Sequence, residues 1–372
     1  MAVASATKGI LFAAFLAAFS VLAIATNLTR APQHEKVAPE AWAALKARDA
    51  ERAASLFRRE LQQRPTDPVL HFGAGSAAYA LGRIGPAIAS LRKAVDLDPQ
   101  FAEAHTLLGQ VAYERGDSAL AIRSLEKASA LRPRDGALSE QLGRWRRESS
   151  VHNSYLEKPA AHFRILYEGG AQQSIGDRVA QVLEREYWRI GRTLNSFPAE
   201  PLTVILYTNR EFHDITRSPS WATGKYDGRI RVAVGGTLPG GELDRVVTHE
   251  LVHAVVSTAA PRQVPAWLNE GLASYLESND HSWTPEVLRR ATTIVPLDNL
   301  VNGFGGLDEQ GALTAYAESA VAAEILCARL GPKIGEFLRV VGNGNSVDQA
   351  LLEFQVQPNA FHAEWRRRVG LQ

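Results

Sequence analysis

Apolar positions fall along this chain in three rhythms, and each predicts a different kind of structure. Residues 9–26, GILFAAFLAAFSVLAIAT, form an unbroken apolar run without a charged position, preceded by Lys8 and followed by polar sequence. Nothing polar interrupts the run to give a core helix its outer face. It is at the short end for a spanning helix, and Ala23-Ile24-Ala25 reads as a small-x-small processing site. Residues 1–30 are therefore expected to be a signal peptide or an N-terminal membrane anchor, which places the rest of the chain outside the cytosol. The expected location is periplasmic or otherwise extracytoplasmic, at the inner membrane if residues 9–26 stay uncut.

The second rhythm is a repeat of 34 residues between 34 and 135. Leu108, Gly109, Ala112, Ala121, Leu125, Ala128 and Pro133 shift back onto Ala74, Gly75, Ala78, Ala87, Leu91, Ala94 and Pro99. A further shift finds Ala44, Ala53, Phe57 and Pro65 in a more degenerate first copy. Small residues at 78 and 87, or 112 and 121, let paired helices approach, and each proline stops the second helix. Gly82 and Gly116 fall at the turns. The pattern resembles the tetratricopeptide repeat, which implies an α-helical solenoid over 34–150. One hairpin cannot bury its apolar stripe alone, so a flanking helix at about 136 to 148 is expected as a cap. The resemblance also implies a groove for a protein partner, with a spacer or a dimerisation surface as the alternative.

The third rhythm begins after VHNSYLEKPAAH (151–162), which reads as a linker. HFRILYE (162–168), LTVILYT (202–208) and RIRVAVGG (229–236) read as strands. AQQSIGDRVAQVLEREYWRIGRTL between the first two has helical spacing, and everything after Gly240 is helical in rhythm. Strands first and helices afterwards predict an α+β domain over 160–372 with a mainly helical C-terminal half.

Composition adds exclusions. With Lys+Arg 41 against Asp+Glu 40 and no long single-sign run beyond RWRRE (144–148), no nucleic-acid partner is expected. The single cysteine, Cys327, allows no intrachain disulfide and is expected in the core. No cysteine follows the apolar run, which excludes a bacterial lipoprotein anchor.

Chemistry concentrates in HELVH (249–253) and WLNEGLASYLE (267–277). Residues four apart share a helix face, so His249 and His253 can hold one metal ion together. Glu250, rotated by about 100°, can reach a water on that ion without ligating it. A catalytic zinc takes three protein ligands and keeps one position open. Pro261 and Pro265 reverse the chain so that Glu270 returns towards the histidines, and small Gly271, Ala273 and Ser274 are expected to let its helix lie close against the first.

HELVH followed by WLNEGLASY is similar to the gluzincin (MA-like) zinc metallopeptidases. The resemblance implies His249, His253 and Glu270 as ligands of one catalytic Zn2+ and Glu250 as general base. It also implies Tyr316, after the third ligand, as a donor to the oxyanion; the other reading of Tyr316 is an ordinary tyrosine on an Ala-rich helix. Two departures stand out. No G-x-M-E-N segment is present, which points away from an exopeptidase, and Ser274 stands four residues after Glu270 where thermolysin-like relatives carry an aspartate. Another residue must then orient a ligand histidine.

The strand at Arg229 to Val234 reads either as a pairing edge for an extended substrate or as a plain sheet edge. His213, His281 and His362 lack partners at ligand spacing, and Trp267 and Trp365 read as packing. The expectation is an exported zinc endopeptidase whose repeats recruit a protein substrate or partner. The alternative is a non-catalytic, zinc-stabilised scaffold or interaction module.

Overall fold

The computed structural model describes residues 37–47, 49–219, 222–235, 240–260, 264–304 and 306–371; the apolar run 9–26 lies outside them. Among the described residues no helix is long and apolar enough to cross a membrane. The chain divides into two compact units, with the boundary between Ser154 and Tyr155.

The first unit consists of helices α1 (Pro39–Lys46), α2 (Ala50–Gln63), α3 (Pro68–Ala80), α4 (Ile84–Leu97), α5 (Ala102–Glu114), α6 (Ser118–Leu131) and α7 (Gly136–His152). Its core follows the 34-residue period: Ala87, Leu91 and Ala94 are fully buried, as are Ala121, Leu125 and Ala128 one period later. The turns after α3 and α5 place Gly82 at φ 69° and Gly116 at φ 92°, a conformation that costs a residue with a Cβ. Asp49, Asp67, Asp117 and Asp135 cap helices through their side chains, each contributing about 1 kcal/mol.

The period extends to the polar contacts between copies. The Tyr79 hydroxyl donates to Glu114 at 2.6 Å, and 34 residues later Tyr113 donates to Glu148. Tyr113 also stacks on Trp145 of α7 at 4.4 Å, so the last helix closes the array as a cap. At the other end Trp42 packs on Phe57 and Phe72, filling the degenerate first copy with aromatic bulk.

The second unit opens with β1 (Tyr155–Pro159), β2 (Phe163–Glu168), α8 (Gln173–Leu194), β3 (Leu202–Tyr207), α9 (Asn209–Thr216), β4 (Gly224–Tyr226) and β5 (Ile230–Ala233). The sheet order is β1-β2-β3-β5-β4. β2 pairs with β3, and β3 with β5, in parallel; β1 and β4 run antiparallel at the two edges. Helices α10 (Gly240–Ala259), α11 (Ala266–Leu276), α12 (Trp283–Arg290), α13 (Glu309–Leu330), α14 (Ile334–Gly342), α15 (Val347–Glu353) and α16 (Pro358–Val369) complete the unit. α10 lies against α8, β4 and β5, and α11 is packed between α10 and α13. Trp267 stacks on Phe361 at 6.3 Å, and Trp365 donates from its indole nitrogen to the Glu318 carbonyl at 3.1 Å, so both tryptophans are core residues.

Three expectations are corrected. The segment 151–162 is not only a linker: it holds the end of α7 and strand β1, whose mostly exposed residues lack the apolar alternation that marks a strand. The strand upstream of α10 is no edge, because β5 is covered by β3 on one side and β4 on the other. Its four residues are all buried, Arg231 included, because Asp227 takes the guanidinium at 3.0 Å and the Tyr207 hydroxyl lies 2.7 Å from it. α11 does pack against α10, but of the small residues after Glu270, Gly271 serves a different neighbour from the one expected. A Cβ at Gly271 would lie 2.2 Å from the Ser319 carbonyl oxygen, so this glycine seats α11 on α13.

Candidate metal centre

α10 is apolar almost all round its middle, with Val247, Leu251, Val252, Ala254 and Val255 nearly inaccessible. A helix so deeply set keeps its polar side chains only where they meet partners. His249 and His253 project one turn apart, ring centroids 4.8 Å from each other, and α11 brings Glu270 to the same point. All three are buried, and one ligand atom of each lies within 4.8 Å of the others. Glu270 Oε2 stands 3.4 Å from His249 Nε2 and 3.6 Å from His253 Nε2. Donor atoms about 2 Å from one tetrahedral ion stand roughly 3.3 Å apart.

The far side of each imidazole is engaged. His249 Nδ1 donates to Glu277 Oε2 at 2.8 Å, and His253 Nδ1 donates to Asn269 Oδ1 at 3.1 Å. With Nδ1 as the donor on each ring, Nε2 is the nitrogen turned towards Glu270 and the one a metal would take, in place of the proton that His249 holds there without it. Arg245 in turn donates to Glu277 Oε1, through Nε at 3.2 Å and through Nη2. Neither Glu277 nor Asn269 was singled out from the sequence. Seven residues after Glu270, Glu277 falls on the same helix face two turns on, and that spacing was the available signal.

Electrostatics point the same way. Burial would lower the pKa of His249, but hydrogen bonds and charges from Glu270 and Glu277 raise it to about 10, so this spot calls for positive charge. Burial lowers His253 to about 4, a neutral imidazole. Burial also pushes Glu277 up, yet the His249 and Arg245 contacts outweigh it and hold its carboxyl below the usual range. Glu270 Oε1 is buried without a hydrogen-bond partner. Two imidazoles and a carboxylate with a spare oxygen, gathered at ligand spacing with their outer sides already bonded, fit a zinc ion.

Glu250 stands beside this trio without joining it. It is 1% exposed, its Oε1 has no hydrogen-bond partner, and burial raises its pKa to about 8. Room for it exists because edge strand β4 has glycine opposite: a Cβ at Gly224 would lie 2.4 Å from Glu250 Oε1. Tyr316 of α13 is also buried, its ring centroid 6.4 Å from that of His249 and its hydroxyl hydrogen-bonded with the Glu270 side chain. Burial first, then the surrounding carboxylates, raises its pKa well above the usual value.

The three other histidines weighed in the sequence have local partners. His213 bonds the Ser218 carbonyl at 3.3 Å, His281 stacks on Tyr275, and His362 pairs with Asp348 at 2.9 Å. Cys327 is half-buried on α13.

Known proteins bear on the first unit. The family described as TPR repeat matches residues 75–116, and that described as tetratricopeptide repeat matches 102–135. Residues 75–135 are tetratricopeptide repeats. Among solved structures, the Sgt2 TPR domain from Aspergillus fumigatus is similar at 23% identity, covering 35% of this chain and 87% of that one, with TM-score 0.31. The first TPR of Spaghetti (RPAP3), bound to the HSP90 peptide SRMEEVD, is 17% identical over 32% of this chain and 93% of its own, TM-score 0.30. The first TPR domain of human RPAP3 is 19% identical over 37% and 98%, TM-score 0.29. No curated protein matches the chain.

Proposed function

We propose that this chain is a zinc-dependent hydrolase of peptide bonds, an endopeptidase of gluzincin type, whose repeats hold a protein substrate or partner. In this reading the unit from Tyr155 onward is zincin-like: a small mixed sheet whose antiparallel edge strand borders the helix carrying the two histidines. The observation that carries the reading is Glu250. A structural zinc site needs its ligands and nothing more, whereas Glu250 stands buried beside the ligand trio without joining it, its Oε1 unpartnered, where a base for the attacking water belongs.

His249, His253 and Glu270 would hold the ion. Bound there, zinc supplies Lewis acidity to a water and to the substrate carbonyl. Glu250 takes the proton from the attacking water and returns it to the leaving amine. For this it must be ionised at neutral pH, and a cation at the adjacent trio pulls its pKa down from the value that burial imposes. Tyr316, kept protonated by its surroundings, donates its O–H to the developing oxyanion. Glu277 and Asn269 keep the two imidazoles aimed. The apolar run 9–26 would put this activity outside the cytosol, tethered to the membrane if it stays attached.

A second reading rests on the repeat match itself. Tetratricopeptide repeats serve protein interaction, and the likeness to known proteins supports that role for residues 75–135 while leaving hydrolysis to the geometry of the second unit. In that reading the chain is a scaffold whose zinc site only stabilises the fold. Zinc content and turnover of a quenched mixed-peptide library separate the two. The hydrolase binds about one zinc and cleaves, and Glu270→Ala loses both. Full zinc occupancy with no cleavage of any peptide or captured partner would favour the scaffold.

A further inference from the structure

Helix α11 has two working sides. One carries Glu270 and, at its end, Glu277; the other carries Tyr275, which fronts a half-open cavity of about 550 Å³ lined by α11, α12, α13 and the end of α16. None of the residues described at the candidate metal centre lines it. Its volume lies in the range that accommodates small molecules.

The lining divides by chemistry. Ala320 and Val321 of α13, both nearly inaccessible, and Leu288 of α12 make an apolar wall. Tyr275, stacked face to face on His281 at 4.8 Å, adds a flat aromatic side. Arg289, Arg367 and Arg368 stand around the same space, and the carboxylate among the lining residues is Glu324. Glu324 is engaged by Arg368 at 2.5 Å. Neither Arg289 nor Arg367 forms an ion pair within 4 Å among the described residues, whereas Arg290, just outside the cavity, is matched by Glu286 at 2.6 Å. Three arginines around one concavity, with one carboxylate among the lining residues, give it positive potential, and the guanidinium fork suits an oxyanion.

We infer that this cavity binds a small amphipathic anion, a carboxylate or phosphate head on an apolar body. Arg289 and Arg367 take the head, and the wall of Ala320, Val321 and Leu288 takes the body.

The test is isothermal titration of the full-length protein with octanoate, octyl phosphate and inorganic phosphate, all below micelle-forming concentration. One amphiphile binds saturably at a single site, and the stronger of the two identifies the head group. The Arg289→Ala/Arg367→Ala double variant, both positions being exposed, weakens it by about tenfold or more, and Arg290→Ala leaves it unchanged. Leu288→Trp, checked by its melting curve to be folded, blocks the amphiphile by filling the space. Absence of saturable binding, equal affinity in wild type and double variant, or inorganic phosphate binding as tightly as octyl phosphate would each overturn the inference.

Discussion

Glu277 accepts the Nδ1 proton of His249 at 2.8 Å while Arg245 holds its other oxygen, so a carboxylate two turns beyond Glu270 fixes which nitrogen of His249 faces the candidate zinc position. Glu277→Gln weakens this arrangement without emptying it. Zinc affinity is expected to fall by about 10- to 100-fold, the usual effect of losing a partner that orients a ligand. Competition against a chelator of known affinity measures it; an unchanged affinity would mean the histidine is held by packing alone.

Gly271 is where α11 rests on α13. A methyl group there meets the Ser319 carbonyl oxygen at 2.2 Å and its carbon at 2.7 Å, backbone atoms that cannot swing aside. Gly271→Ala is expected to destabilise the protein by about 1–3 kcal/mol or more, despite the gain in helix propensity. A melting temperature equal to wild type would show that the two helices have slack between them.

Glu318 on α13 gives a pH signature. It is fully buried, its Oε1 accepts from the Val295 backbone N–H at 2.9 Å, and its Oε2 has no hydrogen-bond partner. Burial raises its pKa from 4.5 to about 7, against the pull of that hydrogen bond. The folded chain therefore holds this proton where the unfolded chain has released it, and stability falls as pH rises from about 4.5 to about 7. Glu318→Gln removes that part of the slope, on the order of 3 kcal/mol at most. Compared with wild type, the variant melts higher at pH 8 and about the same at pH 4. A difference independent of pH would assign the effect to packing.

What could be read from the sequence, and what could not, follows from how far each signal reaches along the chain. The repeats repeat their small residues, so Ala87 and Ala121 announce themselves by comparison within the chain, and both are fully buried, while the prolines in register, Pro99 and Pro133, are exposed. His249, Glu250 and His253 sit within five residues on one helix, and helical geometry alone relates them. Glu270 needed a chain reversal, marked by two prolines.

The partners that depend on tertiary packing left weaker traces. Gly224 belongs to a three-residue edge strand too short to show alternation, yet it makes the space that Glu250 occupies. The burial of Arg231 left no trace in the sequence, because nothing local reveals that Asp227 and Tyr207 would take its charge inside. Gly271 correctly implied a close helix contact but not which helix, since the neighbour it seats on, α13, lies beyond α12 in the chain.

If Glu250 does chemistry beside a metal it does not bind, Glu250→Gln separates that chemistry from metal binding. The substitution keeps the size of the side chain and removes its ability to accept a proton. Zinc content and peptide turnover should be measured together on the same preparations of wild type and variant. Zinc stoichiometry is expected to equal wild type, with turnover reduced by about 100-fold or more. Turnover equal to wild type at full zinc occupancy would contradict it.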